Sequence, residues 1–282
     1  MKPVLESYAD ARAFLAATEA FLLTAETSNG LPLGLAYRCI AGEYPGTRFW
    51  AIQEDGVRLA AMQTPGFPIV LSAGDAHAGS AMAEYLAELA PDLTCVTGPS
   101  ALSQAFADAW CRRAGGRAKA STAMTLLAAQ RIAPWRPTPG GRRTATLADL
   151  DLINDWTLQF AEEALAGHDE AWRQHALKSN LPRIEAGYFQ IWDVDGTPVS
   201  ACAWQPVAKN GARINAVFTP PAHRRRGYAS ACVGSLCREL IATRGLWCAL
   251  FADKTNPTSN SIYRKLGFEP VVEFQEYDFA DA

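Results

Sequence analysis

Hydrophobic positions along the chain recur with two periods, and the two periods separate helices from strands. Leu150, Ile153, Trp156 and Phe160 share one stripe of a helix expected over about 147–165. A second helix is expected over about 169–179. Phe189-Gln190-Ile191-Trp192 and Val199-Ser200-Ala201-Cys202-Ala203 flank Asp195-Gly196. That arrangement predicts a β-hairpin over about 188–205, with the glycine supplying the positive φ of the turn. A strand over 212–218 follows, then a turn and a helix over about 227–243. Ala229, Cys232, Val233, Leu236 and Leu240 mark the buried face of that helix. Leu246 to Phe251 reads as a buried strand. Asn256-Pro257 opens a last helix, a cap followed by proline at the first helical position, and Gly267 closes it. Phe268 to Phe279 supplies one or two final strands. The order is mixed α/β, one central sheet with helices on its faces.

The same plan occurs earlier in the chain. Asp55-Gly56 precedes Asp195-Gly196 by 140 residues, and Phe49 precedes Phe189 by the same distance. Phe49-Trp50-Ala51-Ile52 and Val57-Arg58-Leu59-Ala60-Ala61 form the matching apolar runs. Ala9-Asp10 opens a helical pattern with Phe14, as Ala148-Asp149 does with Ile153. The ordered set points to a diverged tandem duplication. Between the copies lies Ala133-Pro134-Trp135-Arg136-Pro137-Thr138-Pro139-Gly140-Gly141, which can neither propagate a helix nor pair inside a sheet. The expected domains are 1–135 and 142–282, joined by a Pro/Gly-rich linker over 136–141.

Composition narrows the function. The 282 residues are 49% hydrophobic and 20% charged, an ordinary globular balance. Lys+Arg 26 against Asp+Glu 29 gives net −3, so no nucleic-acid partner is expected. No apolar run approaches the roughly 18 residues of a bilayer span, so no membrane partner is expected either. Glu6, Asp10, Arg12 and Glu19 interrupt any leader-like apolar region, and the expected location is cytoplasmic. Cysteines 39, 95, 111, 202, 232, 237 and 248 form no Cys-x-x-Cys and read as reduced thiols. The histidines at 77, 168, 175 and 223 have no ligand spacing with them, so no metal is expected.

Candidate chemistry concentrates at two points. Val217-Phe218-Thr219-Pro220-Pro221-Ala222-His223-Arg224-Arg225-Arg226-Gly227-Tyr228-Ala229-Ser230 carries a strand end, three arginines, a glycine and a helix start. Free amides at the helix start, its partial positive charge and the arginines make a polyphosphate seat; a solvated basic loop is the plainer reading. The second point is Asp253-Lys254-Thr255-Asn256-Pro257-Thr258-Ser259-Asn260-Ser261-Ile262-Tyr263-Arg264-Lys265-Leu266-Gly267-Phe268. Arg224-x-x-Gly227-x-Ala229 resembles the acyl-CoA pyrophosphate motif of the GNAT superfamily of N-acetyltransferases. The Asn-Pro…Tyr…Gly-Phe segment resembles that family's second motif, in the expected order. The resemblance covers about 142–279, and in the first half it is only architectural.

The resemblance implies tandem GNAT-like domains, each a central, mostly antiparallel mixed sheet flanked by helices. It implies an acetyl-CoA-dependent N-acetyltransferase acting on a small amine or a peptide amino group, without metal. Backbone groups of Val217, Phe218 and Thr219 would pair with the pantetheine arm. Arg224, Arg225 and Arg226, with the amides of Gly227, Tyr228, Ala229 and Ser230, would hold the pyrophosphate. Asn256 would bond the pantetheine, and Tyr263 would protonate the leaving thiolate. Arg213-Ile214-Asn215-Ala216 lacks the carboxylate that some relatives use as base. Glu273, Glu276, Asp278 and Asp193 are the alternatives, beside an ordered water. Glu162, Glu163, Asp169 and Glu170 make one segment acidic, which suits a cationic amine or simply a solvated helix face. The first half has Ser72-Ala73-Gly74-Asp75 where the second has its arginines, so it is expected to be degenerate and to wall the acceptor cleft. The alternative to an enzyme is an acyl-CoA-binding sensor without turnover. No signal of oligomeric state is present.

Overall fold

The computed structural model describes residues 2–164 and 170–280, with side chains outside 164–172. His168 and Asp169 of the expectations above lie outside the described residues, as does the side chain of Glu170. Chain order in the first half is β1 (Val4–Tyr8), α1 (Ala11–Leu23), α2 (Gly30–Ile40), β2 (Arg48–Gln53), β3 (Val57–Gln63), β4 (Ile69–Leu71), α3 (Ala76–Leu89), β5 (Cys95–Pro99), α4 (Ser100–Ala114) and β6 (Arg117–Ala129). The second half runs β7 (Gly141–Thr144), α5 (Leu150–Ala164), α6 (Glu170–Glu185), β8 (Phe189–Val194), β9 (Thr197–Val207), β10 (Gly211–Phe218), α7 (Tyr228–Arg244), β11 (Trp247–Asp253), α8 (Pro257–Lys265) and β12 (Glu269–Ala280). None of the described helices is long and apolar enough to cross a membrane.

Both Asp-Gly turns form, with Gly56 at φ 112 and Gly196 at φ 80 joining β2 to β3 and β8 to β9. In each half the strand after the hairpin meets a later strand in parallel: β4 with β5, β10 with β11. A helix bridges each parallel pair, as a crossover requires. The expected helix over 169–179 is longer, reaching Glu185 through Pro182.

All twelve described strands form one sheet, in the order β1-β2-β3-β4-β5-β12-β6-β11-β10-β9-β8-β7. Its centre is an exchange. β6, from the first half, pairs antiparallel with β11 of the second over Met124–Ala129. β12, from the second half, pairs with β5 of the first and with β6. Each half thus completes the other's sheet, across the boundary expected at 136–141. Phe274 sits at this seam, 1% exposed, with its ring edge-on to Phe251 at 4.9 Å.

The linker forms no helix or strand before β7, yet it is tied down. Ala133 N donates to Leu266 O, and Trp192 Nε1 donates to Pro139 O at 2.8 Å. Trp135 lies over α7, where a side chain at Gly234 would come within 2.6 Å of its ring, and Arg238 stacks on the same ring at 4.3 Å.

The halves also meet across α2. A Cβ at Gly34 would lie 2.9 Å from Val207, and one at Gly30 would lie 3.3 Å from Trp247. Two glycines one turn apart therefore let α2 rest directly on the second half. Glu26 adds a hydrogen bond from the Asn210 amide at 3.0 Å.

Phe274→Ala should cost about 3–5 kcal/mol, the usual range for a buried aromatic truncation. Because the seam joins both halves, denaturation should remain a single transition with a lower midpoint. Two separated transitions would show that the halves fold independently.

Candidate functional site

The site is built where two parallel strands part. β10 pairs with β11 only over Gly211–Arg213, against Trp247–Ala249. A side chain on Gly211 would overlap the Trp247 ring, so glycine is what closes this end. Past Arg213 the facing edge of β10 has no strand partner among the described residues. A bulge drives the separation: the register with β9 shifts between Asn215 and Phe218, and Ala216 takes φ 48. A left-handed alanine is strained by about 1–2 kcal/mol, so the rest of the fold must hold it.

The open edge leads into the arginine turn. Pro221–His223 form a single tight turn, Arg225 takes φ 64, and Gly227 takes φ 88 as the N-cap of α7. No side chain caps α7. The first amides of the helix, at Tyr228, Ala229 and Ser230, therefore have neither a helical nor a capping acceptor. The alternating left-handed residues curve the backbone into an anion-binding concavity. Arg225 and Arg226 are exposed beside it. The Tyr228 side chain instead packs in the core under β10.

Arg224 is committed elsewhere. Its Nε donates to Thr219 O at 2.8 Å, and its Nη2 donates to both carboxylate oxygens of Glu163, at 2.8 and 2.6 Å. This fastens the turn to the end of α5. It also occupies the Thr219 carbonyl that the pantetheine was expected to use. The Phe218 carbonyl likewise accepts from Ser200 Oγ. Glu163 thus serves the basic turn.

Asn256 caps α8, its Oδ1 accepting from Ser259 N at 3.1 Å, which leaves its amide N–H groups for a ligand. Tyr263 on α8 is 7% exposed and shares a cluster with Ile214 of β10 and Leu250 and Ala252 of β11. It therefore stands under the parting strands, edge-on to Phe268 at 5.9 Å. Burial first, then the nearby Cys202 and Cys237 thiols, raise its phenol pKa above the ordinary value.

The four suggested bases each have partners of their own or lie along β12. Glu276 and Asp278 lie on β12 opposite Thr97 and Cys95 of β5. Glu273 is exposed and paired with Lys254 at 2.9 Å. Asp193 accepts from Gly196 N and faces Arg143 near the far edge of the sheet. Strand exchange places Glu276 and Asp278 beside β5 of the first half, whereas Glu273 stays next to Lys254 just past β11.

The first half shows the contrast. The N-terminus of α3 is capped by Asp75, whose Oδ1 accepts from Ala78 N at 2.8 Å while Oδ2 accepts from Arg58. Those contacts hold the Asp75 carboxyl below the usual range. The protein's own anion fills the place that stands open at α7.

Comparison with known proteins bears on the fold. The model of the FR47-like protein family matches residues 194–277. A GNAT-family acetyltransferase from Colwellia psychrerythraea superposes with TM-score 0.62 at 12% identity, over 98% of this chain and 100% of that one. The tandem GNAT protein from the clavulanic acid biosynthesis pathway gives 0.59 at 14% identity, over 98% of each chain. The chain has the tandem GNAT fold. A GCN5-related N-acetyltransferase from Sphaerobacter thermophilus is similar too, with TM-score 0.58 at 16% identity, over 99% of this chain and 98% of that one. No curated protein matches at the level that marks a relative.

Within the tandem GNAT fold, the structure adds a cluster that the sequence gives no hint of. Arg213 projects from β10 on the face opposite Ala212 and Ile214, which pack beneath α7. Arg183 of α6 donates to Asn215 Oδ1 at 2.5 Å, and its guanidinium lies 4.6 Å from the Phe189 ring. Arg38 and Tyr44 approach from the first half, Tyr44 held at φ 55. His175 of α6 meets the Tyr44 and Phe67 rings at 5.5 and 5.6 Å. The first half therefore brings Arg38, Tyr44 and Phe67 beside α6 and β10.

Replacing Arg225 and Arg226 together by Ala should weaken CoA binding by about 2–3 kcal/mol, since charge-assisted hydrogen bonds are worth roughly 1.5–3 each and these are solvent-screened. Arg224→Ala should cost less, because an exposed pair such as Arg224–Glu163 contributes about 0–1 kcal/mol. Calorimetry with CoA and with a truncated pantetheine thioester checks both. Equal losses for the two ligands would mean that Arg225 and Arg226 shape the turn only.

Proposed function

We propose that the protein is an acetyl-CoA-dependent N-acetyltransferase that transfers the acetyl group directly to a primary amine. The observation that carries this reading is the uncapped start of α7, with Arg225 and Gly227 left-handed, standing at the end of an unpaired β10 edge. A polyphosphate fits the first and an extended amide-bearing arm fits the second. The arm would use the edge from Val217 toward Phe218, with Asn256 Nδ2 donating from the other side. Thr219 takes part through its amide only, because Arg224 holds its carbonyl.

In the reaction the amine nitrogen attacks the thioester carbonyl, the carbon–sulfur bond breaks, and the amine's proton goes to solvent or a bound water. The thiolate leaves near Tyr263. A phenol whose pKa is raised by burial keeps its proton at neutral pH, but it is a weaker acid than free tyrosine. Its contribution is a hydrogen bond to the developing thiolate more than full proton transfer. The carboxylates nearest the opening among the described residues are engaged, Asp253 at the end of β11 by Thr255 N and Oγ1 and Glu163 by Arg224. That observation favours a second reading, an acyl-CoA sensor without turnover.

The test is acetyl-CoA titration followed by thiol release with an amine panel. We expect one site per chain and turnover with at least one amine. Binding without turnover on the whole panel would establish the sensor, and no binding would remove both readings. Tyr263→Phe should keep acetyl-CoA affinity within about 1 kcal/mol and lower turnover by about 10²-fold, the low end for a general acid. Unchanged turnover would take Tyr263 out of the chemistry.

A further inference from the structure

We infer that the acceptor is an amine that also carries a carboxylate, held by Arg183 and Arg213 in the cleft between α6, β10 and the first half. This rests on the acetyltransferase reading above and names the substrate class of the same site.

The cleft holds three arginines and one counter-charge. Arg38 donates to Glu43 Oε2 from Nε and Nη2, at 2.9 and 2.5 Å, so that pair is closed. Arg183 has Asn215 as its partner, a neutral amide, and its Nε is enclosed with no acceptor at all. Arg213 has no hydrogen bond or ion pair among the described residues. The remaining polar groups facing them are Tyr44, which burial keeps neutral, and His175, whose pKa burial and Arg38 push down. Burial first, then Arg38 and Arg213, push Arg183 down to about 10, and burial first, then Arg38, push Arg213 to about 10. Arg183 and Arg213 are thus kept partly buried against desolvation and the repulsion of neighbouring arginines, and Glu43, the carboxylate that acts on Arg183, is already paired with Arg38.

A purely structural cluster would bring its own carboxylate, as Arg143 does with Asp149. An arrangement that leaves planar forks unmatched suits a planar anion from outside, and a carboxylate accepts such forks in pairs. The position assigns it to the acceptor. Arg213 and Asn215 sit on β10 where β11 parts from it, so a ligand anchored there has its other end at the opening. They also lie on the face away from α7, so the cofactor seat and this cleft are reached from different sides.

The test compares matched amines with acetyl-CoA as donor: glycine and β-alanine against glycinamide and ethylamine, read by thiol release. Succinyl-CoA with ethylamine is a further arm, because an anionic acyl group could use the same arginines. We expect kcat/KM at least 10-fold higher for the carboxylates. Arg213→Met should raise their KM 10-fold or more, affect ethylamine less, and leave acetyl-CoA affinity unchanged. Arg183→Lys, which keeps the charge and loses the fork, should fall between. N-acetylglycine should bind to the CoA complex in calorimetry. Equal use of neutral amines, a preference for succinyl-CoA, or failure of both turnover and N-acetylglycine binding while acetyl-CoA still binds would overturn the inference and leave the cofactor reading standing. Failure of acetyl-CoA itself to bind would overturn both.

Discussion

The exchange of β6 and β12 at the centre of the sheet is the constraint on which the rest depends. β11 is held on one side by only three pairs with β10, because the bulge at Ala216 parts the two strands. Its position is therefore set by its other edge, and that edge belongs to β6 of the first half. β6 in turn is held by β12, whose far edge lies on β5. A half cut out at the linker would lose a central strand and expose a long unpaired edge. The close seat of Gly30 and Gly34 on Trp247 and Val207 adds a second tie near the closed end of the β10–β11 pair. The first half is part of what holds the opening at its width.

What was legible in the sequence was what is local. The hairpins, the helices and the basic turn each depend on residues within one or two dozen positions, and the turn's chemistry follows from Gly227 and its arginines opening a helix. Strand partners are different. Alternation tells which face of 268–279 is buried but not which strand lies beside it. Glu273, Glu276 and Asp278 looked close to the second site only on the assumption that their strand completes the second sheet. Arg38, Arg183 and Arg213 carry no mutual signal, since they lie on three elements far apart in the chain and converge only when the halves dock. The contacts of Arg224 were hidden for a similar reason: its partner Glu163 is brought to it by α5.

The two copies show how one scaffold can keep or lose an anion site by small changes. Each has a parallel strand pair and a helix starting at its end, with the partial positive charge that any helix start carries. In the first copy Asp75 satisfies that charge from within, and Arg58 satisfies Asp75. In the second, glycine at the cap removes the internal acceptor and left-handed Arg225 turns the backbone outward. One end is closed to ligands by the protein's own side chain, and the other is left to an external anion.

The charge of the cleft bears on the missing base. An ammonium must lose its proton before its nitrogen can attack, and the described carboxylates nearest the opening are engaged, Asp253 by Thr255 and Glu163 by Arg224. Arg183 and Arg213 together present two positive charges without a counter-ion, the Arg38 charge being closed by Glu43. A bound carboxylate neutralises one and leaves one. An ammonium on the same small molecule then sits beside an uncompensated cation in a partly desolvated cleft, and both effects favour its neutral form. On the proposed reading, cations rather than a base around the acceptor would lower the cost of deprotonation in the ground state, so that solvent would take the proton before the amine meets the thioester.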